Sequence, residues 1–287
     1  MSLYFIRKQY CLAIGLIVGL ASCGSGTSSS TATATADTTC SSYASTSLSA
    51  IVAGDIVSMS AAPFDRYINF NGLSLFVMPN NTDAFLINVT KTYRDMLGGD
   101  LGYTSSCVDT LKTKFTAKKI AQRIWITTQP ASFPGLDSAG YEGQDLIQEG
   151  ISGQINEVVE HLLHTITVLG LSEVFPNKWD YTDTNSELYL SMQQAIDGGF
   201  YDTSSYASLL SDTANHQKVI QQEFAYAAIL TAWGLKAQVW PSSGSEWTLT
   251  TTSDVRVNLP LFWTLYENTI KGFLVAPVYS DLQARFP

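Results

Sequence analysis

Alternating apolar and polar positions in the first half of the chain predict a small mixed sheet. Residues 65–78 alternate around Asn71-Gly72, and this dipeptide between alternating runs is the strongest short-range signal for a β-hairpin. Residues 119–128 place isoleucines on one face and predict a further strand, and a short strand is expected at residues 145–149. These strands are expected to form one small mixed sheet.

Two stretches of the same half have helical spacing. A helix is predicted to begin at Thr82 or Asp83, either of which can cap its first turn, and to end at about Leu97 before Gly98-Gly99. A second helix is expected within residues 106–114. Helices and strands are therefore interleaved in this half of the chain.

The first long helix of the second half, called the His helix below, is predicted at residues 156–169. At about 100° per residue, four polar side chains share one arc of about 100° and apolar side chains occupy the opposite side. The four are Glu157, Glu160, His161 and His164. Gly170 is expected to end the helix.

The second long helix, called the Glu helix below, is predicted at residues 219–233 and is apolar nearly all round, which is typical of a buried helix. A short helix is predicted at residues 261–270, with Pro260 in its first turn. The predicted fold class is thus α+β: a small mixed sheet followed by a helical half that carries the His helix and a buried Glu helix.

The composition adds little to the predicted fold, but it excludes some classes of function. Of the 287 residues, 45% are apolar and 14% are charged, so the chain can bury a sizeable core and wholesale disorder is excluded. Acidic residues outnumber basic ones by 25 to 16. That balance argues against nucleic acid as a partner.

The N-terminus has the pattern of a secretory signal. Arg7 and Lys8 precede a ten-residue apolar run, which is too short to span a bilayer core. The run ends in Leu20-Ala21-Ser22-Cys23, which resembles a bacterial lipobox. The resemblance implies that residues 1–22 are a lipoprotein signal peptide, that Cys23 carries a lipid, and that the protein is an outer-membrane lipoprotein facing the periplasm or the exterior. The alternative is an ordinary signal peptide with a chance cysteine.

Residues 23–47 are rich in Ser, Thr, Ala and Gly and are predicted to be a flexible tether. With Cys11 in the signal and Cys23 lipidated, two of the four cysteines remain, Cys40 and Cys107. An exported compartment permits a disulfide between them, which would attach the end of the tether to the domain. The alternative is two free thiols in unrelated loops.

The polar arc of the His helix is the strongest chemical signal in the sequence. The chain has only three histidines, and two of them lie on this arc beside Glu157 and Glu160. Imidazoles and carboxylates that converge in this way are the donor set of many metal sites. The alternative is an amphipathic helix whose polar face is simply solvated.

Glu223 supplies a candidate third ligand. It is the one ionisable carboxylate of the predicted Glu helix, and burying it alone costs several kcal/mol unless it is paired, protonated or bound to a metal. A hydrogen bond to Tyr or Trp, or a pair with Arg or Lys, would also satisfy it.

These two motifs together resemble the zincin metallopeptidases of the gluzincin type. That family carries His-Glu-x-x-His on one helix and a Glu on the next, and in anthrax lethal-factor-like members the second motif resembles residues 223–227 here, Glu-Phe-Ala-Tyr-Ala. The resemblance covers about residues 120–233 and implies that residues 48–287 form one zincin-like domain. This chain departs from the family in order, because Glu160 precedes His161 in Glu-His-x-x-His.

The departure leaves three ligand sets open. The favoured set is His161, His164 and Glu223 with Glu160 as the catalytic base, since imidazole is the commoner zinc ligand. In the second, Glu160 joins His164 and Glu223 at the family's spacing, and His161 is the base. In the third, Glu157 and His161 give an inverted arrangement.

The expected function follows from these residues. Zinc is the expected cofactor, and the chain is expected to be a lipid-anchored, metal-dependent hydrolase of the cell envelope, a zincin-like peptidase that acts on a peptide or protein. The alternative is a non-catalytic envelope lipoprotein in which the same cluster is a structural or relic metal site.

Overall fold

The computed structural model describes residues 42–43, 56–58, 63–98, 104–126 and 140–287. The predicted signal peptide, the lipidation site Cys23 and the predicted disulfide partner Cys40 lie outside these residues. Within the described part of the chain, no helix combines the length and the apolar character that crossing a membrane requires.

The hairpin predicted around Asn71-Gly72 is confirmed. Strand β3 (Arg66–Phe70) pairs antiparallel with β4 (Leu73–Val77), and both turn residues have positive φ, 52° at Asn71 and 82° at Gly72. Two successive positive φ values give the turn whose twist matches a hairpin. A Cβ at Gly72 would also lie 2.3 Å from a backbone oxygen, that of Lys112, so glycine is required there.

The main sheet has five strands in the order β2-β3-β4-β6-β7. Strands β2 (Val57–Ser58), β3 and β4 are antiparallel, whereas β4, β6 (Ile120–Trp125) and β7 (Glu142–Gln148) are parallel. The predicted mixed sheet is thus confirmed, and β7 starts three residues before the predicted strand. Among the described strands, β7 forms one edge of this sheet.

A second, two-stranded sheet lies where the tether is predicted to end. Strand β1 (Ser42–Tyr43) pairs antiparallel with β5 (Thr104–Ser105). The pairing brings the residues after Cys40 beside those before Cys107, and Cys107 is buried and disulfide-bonded. A bridge between the two cysteines stays a prediction, because Cys40 lies outside the described residues.

The two helices predicted in the first half are present. The first spans Asp83–Met96, and the Thr82 hydroxyl caps it by accepting the backbone N–H of Phe85 at 3.1 Å. The second spans Ser106–Ala117 and ends three residues later than predicted. The two helices lie in the connection between the parallel strands β4 and β6.

The His helix spans Gln154–His164 and does not end at Gly170. It continues without interruption as a π-helical segment, Thr165–Leu171, and a last turn, Ser172–Val174. The prediction that Gly170 stops the helix was therefore wrong. The glycine is needed for packing instead, since a Cβ there would lie 2.3 Å from Leu111 Cδ1.

The Glu helix spans Thr213–Ala232, and every residue from 219 to 232 is buried, as predicted. The predicted C-terminal helix is also present, with Pro260 at its first position, as Pro260–Leu265 continued by a π-helical turn, Tyr266–Ile270. The remaining helices of the described second half are Glu187–Asp197, Ser204–Leu209, Lys236–Val239, Thr252–Asn258 and Tyr279–Arg285. The predicted α+β class, with a helical half after the sheet, is confirmed.

We expect Gly170→Ala to lower the free energy of unfolding by about 1–3 kcal/mol, because the added methyl group would overpack the fully buried Leu111 and Phe115. Urea unfolding measures the change. Gly272→Ala is the matched control, since a Cβ at Gly272 meets nothing within 4 Å, and its effect should stay within about 0.5 kcal/mol. Equal effects of the two substitutions would contradict the packing role.

Candidate metal centre

The first turns of the His helix are fixed to the end of strand β7 by side-chain to backbone hydrogen bonds. The Glu157 carboxylate accepts the backbone N–H of Gln148 at 2.7 Å, and the Gln154 amide donates to the Gln148 carbonyl at 2.8 Å. Gln154 also accepts the N–H of Gly150 at 2.7 Å. These bonds set the rotation of the helix, so its polar arc faces both β7 and the Glu helix.

Two groups of potential metal ligands occur on this arc among the described residues, and His164 belongs to both. In the first group, ligand atoms of Glu160, His164 and Glu223 lie within 4.8 Å of one another. In the second, the same holds for Asp145, His161 and His164. The first group is the more buried, with exposed fractions of 9% for Glu160, 1% for His164 and 5% for Glu223.

Distances distinguish the chemistry of the two groups. His161 Nδ1 lies 2.6 Å and His164 Nδ1 2.9 Å from the same atom, Asp145 Oδ2, and these are hydrogen-bond lengths. His164 Nε2 lies 3.7 Å from Glu223 Oε2, which is too long for a hydrogen bond. Two ligands at tetrahedral zinc are about 3.3–3.6 Å apart. His164 and Glu223 therefore have the spacing of two metal ligands, whereas the Asp145 group is held by hydrogen bonds.

The two nitrogens of His164 have different environments. A carboxylate only accepts hydrogen bonds, so the contact with Asp145 favours a proton on Nδ1 and a free lone pair on Nε2. Gln222 Nε2, a donor, also lies 2.9 Å from Nδ1 and can donate there only when Nδ1 is unprotonated. The charge of Asp145 makes its contact the stronger of the two. Nε2, in contrast, is buried and has no hydrogen-bond partner. A buried polar atom without a partner is costly, and here it lies 3.7 Å from Glu223 Oε2.

Glu160 is oriented by a short relay between the two long helices. Asn156 donates its amide N–H to Glu160 Oε2 at 2.9 Å, and the Tyr226 hydroxyl donates to Asn156 Oδ1. The Tyr226 ring is buried and stands edge-on to the His164 ring, with centroids 5.9 Å apart. Tyr226 thus both fills the core and supports a candidate ligand.

His161 lies between two carboxylates. Its Nδ1 contacts Asp145 at 2.6 Å and its Nε2 lies 3.3 Å from Glu157 Oε2. Burial alone would lower the pKa of His161, but Asp145 first and Glu157 second outweigh it and raise the pKa well above its ordinary value. Burial likewise tends to raise the pKa of Asp145, and the two histidines hold it well below its ordinary value. The pair is therefore ionic, and His161 has no free lone pair.

Lys218, in the first half of the Glu helix, adds a further charge near this ionic pair. Burial lowers the pKa of its amine, while electrostatic interactions with Asp145 and Glu142 oppose that change. Strand β7 and the Glu helix thus interact through charge.

The structure brings together some of the residues expected at the site and separates others. Glu160, His164 and Glu223 form one group, which is the second of the three predicted ligand sets. His161 is placed with Asp145 rather than with Glu223, and Glu157 is hydrogen-bonded to β7 and His161. Asp145 was missed from the sequence. The sequence shows Asp145 only as an acidic residue in a short predicted strand. Its role depends on how that strand packs against the His helix.

Comparison with known proteins finds no match among family models, curated proteins or solved structures. The function is therefore inferred from the geometry of these residues.

In metal-free protein, His161 should stay protonated well above pH 6.5. Because its folded pKa exceeds the unfolded value of about 6.5, the ionic pair contributes its full stability below that pH and loses it as the pH rises through the folded pKa. Long-range ¹H–¹⁵N NMR of the imidazole reads the protonation state directly. His161→Gln should flatten the decline of unfolding free energy with rising pH, and a neutral His161 ring at pH 7 would contradict the assignment.

Proposed function

We propose that this chain is a lipid-anchored, zincin-like metalloprotein of the bacterial cell envelope that hydrolyses peptides or proteins, with zinc held by Glu160, His164 and Glu223. One observation carries the proposal: the buried His164 Nε2 has no hydrogen-bond partner and lies 3.7 Å from Glu223 Oε2. Glu160, one helical turn before His164, completes the donor set.

The donor set fits a divalent cation. One imidazole and two carboxylates are accepted ligands of zinc, and three protein ligands leave a position for a further small ligand. Two buried carboxylates also repel one another, and a divalent ion would offset that repulsion. Bound zinc supplies Lewis acidity, which lowers the pKa of a coordinated water and polarises a peptide carbonyl.

The order of the elements supports the resemblance to gluzincins. A strand (β6), an edge strand (β7), the His helix and the Glu helix occur in this order along the chain, and the helices Glu187–Asp197 and Ser204–Leu209 lie between the last two. The spacing of Glu160 and His164 equals the i, i+4 spacing of the family's two histidines. In this proposal Glu160 takes the place of the first histidine, and the reversed order of Glu160 and His161 is a change of ligand.

A peptide substrate suits the position of β7. An extended peptide can add to the free edge of a sheet through backbone hydrogen bonds. β7 is an edge strand within the described sheet and carries Asp145, which contacts the candidate zinc ligand His164. A peptide aligned with β7 would therefore run past the proposed zinc.

A non-catalytic role is the second candidate, and two observations favour it. All three proposed ligands are at most 9% exposed, as in a closed structural site. His161, the base in this ligand set, is held in its charged form by Asp145 and Glu157, so it is suited to donate a proton and not to accept one. In this case zinc would stabilise the fold and no substrate would be cleaved.

Metal analysis tests the site. After dialysis against zinc and then buffer, the purified protein should hold about one zinc ion per chain, and His164→Ala or Glu223→Gln should lose most of it because each substitution removes a ligand. His216→Ala, which removes the third histidine of the chain, is the matched control and should retain the zinc. Less than a tenth of a zinc ion per wild-type chain would overturn the proposal.

Peptide cleavage separates the two candidates. A hydrolase should cleave members of a mixed peptide library only when zinc is present, and His164→Ala should slow cleavage at least 100-fold. A structural site should leave the library intact while zinc removal lowers the melting temperature. Cleavage that a chelator does not inhibit would contradict both candidates.

The membrane anchor is tested separately. Cys23→Ser in the full chain should abolish incorporation of labelled fatty acid and release the protein from the membrane fraction, because no thiol would then follow the predicted cleavage point. Fractionation of cells and fatty-acid labelling measure the two effects. Cys11→Ser, within the apolar run of the signal, is the matched control and should leave lipidation unchanged.

A further inference from the structure

We propose that Asp145 is the positioning residue of this metal centre: it holds the His164 ring so that Nε2 points at Glu160 and Glu223, and it does so by accepting hydrogen bonds from both histidines of the His helix. The inference rests on the proposed function, because it concerns the same site.

The Asp145 carboxylate is fixed on both of its oxygens. Oδ1 accepts the backbone N–H of Leu146 at 2.9 Å, so the side chain is attached to its own strand. Oδ2 accepts from His161 Nδ1 at 2.6 Å and from His164 Nδ1 at 2.9 Å. A carboxylate held from three directions cannot rotate without breaking one of these bonds. Its position is therefore set jointly by β7 and the His helix.

His164 gains a defined orientation from this contact. A proton held on Nδ1 by a carboxylate leaves Nε2 as the lone-pair nitrogen, the one that can bind a metal. Tyr226 packs edge-on against the ring and blocks rotation on the other side. Together the two contacts orient Nε2 toward Glu223.

The i, i+3 spacing of the two histidines follows from the same geometry. Residues three apart on a helix project from the same face, and here both Nδ1 atoms reach one oxygen of Asp145. His161 is in turn held by Glu157, whose other oxygen accepts the N–H of Gln148 in β7. The two histidines thus converge on a carboxylate of the strand, and only His164 reaches the proposed zinc.

The consequence is that metal affinity depends on β7. Any shift of the strand relative to the His helix would move Asp145 and release the His164 ring. We therefore expect removal of this carboxylate to weaken zinc binding about 10- to 100-fold, the range measured when supports of a metal-bound histidine are removed.

The experiment compares wild-type protein with Asp145→Ala and Asp145→Asn in the full chain. Zinc affinity is measured by competition with a chromophoric chelator, and the Co²⁺-loaded protein gives a visible absorption spectrum that reports ligand geometry. Affinity should fall in the order wild type, Asn, Ala, because the amide keeps one acceptor oxygen but loses the charge. Both variants should also change the Co²⁺ spectrum, which a purely structural loss of stability would leave unaltered in the folded fraction.

A second readout does not need the metal. Long-range ¹H–¹⁵N NMR of metal-free protein should show His164 with its proton on Nδ1 in the wild type and a mixture of tautomers in Asp145→Ala. Glu142→Gln, an exposed carboxylate on the same strand, is the matched control and should change neither affinity nor tautomer. If Asp145→Ala does not fold, Asp145→Asn decides.

Two results would overturn the inference. One is zinc affinity in the Asp145 variants within threefold of wild type with an unchanged Co²⁺ spectrum, and the other is an unchanged His164 tautomer. Failure of the proposed function is a different result, namely that wild-type protein binds neither Zn²⁺ nor Co²⁺. In that event the NMR measurement still tests whether Asp145 fixes the ring.

Discussion

A buried imidazole imposes the main constraint on this structure. His164 is almost fully buried between the sheet and the Glu helix, and each of its ring nitrogens needs a partner or incurs a cost. Asp145 satisfies one nitrogen, which requires β7 to lie beside the His helix. The other nitrogen has no hydrogen-bond partner and lies 3.7 Å from Glu223 Oε2 on the Glu helix. The contacts of this one side chain thus join the strand to both long helices.

Elements that depend on local chemistry could be predicted from the sequence. The Asn71-Gly72 turn requires two positive φ values, which those residues adopt readily, and the Thr82 cap depends on a hydroxyl three residues before an N–H. The burial of the Glu helix follows from its lack of a polar face. Each of these signals lies within a few residues of the feature that it specifies.

Features set by distant contacts were harder to predict. A glycine at position 170 is typical of a helix end. Gly170 instead packs against Leu111, about 60 positions earlier in the chain. The periodicity of the His helix predicts that four polar side chains share one face, but it does not predict which of them are metal ligands. The choice between His161 and Glu160 as partner of Glu223 depends on Asp145, which draws His161 toward β7. That choice is set by how β7 packs against the His helix, and no spacing within the His helix predicts it.

The π-helical segment after His164 lets this helix hold an extra residue without changing which side chains face the core at its two ends. A π turn holds one residue more than an α turn, and Thr165–Leu171 carries this surplus between the ligand end and the packing end of the helix. Deleting one residue between His164 and Gly170 would restore α-helical winding, and Gly170 would keep its place against Leu111 and Phe115. The same deletion within Gln154–His164 would instead rotate one part of the polar arc against the other by about 100°. One-residue gaps between related sequences should therefore fall in the π-helical segment and not in the turns before it.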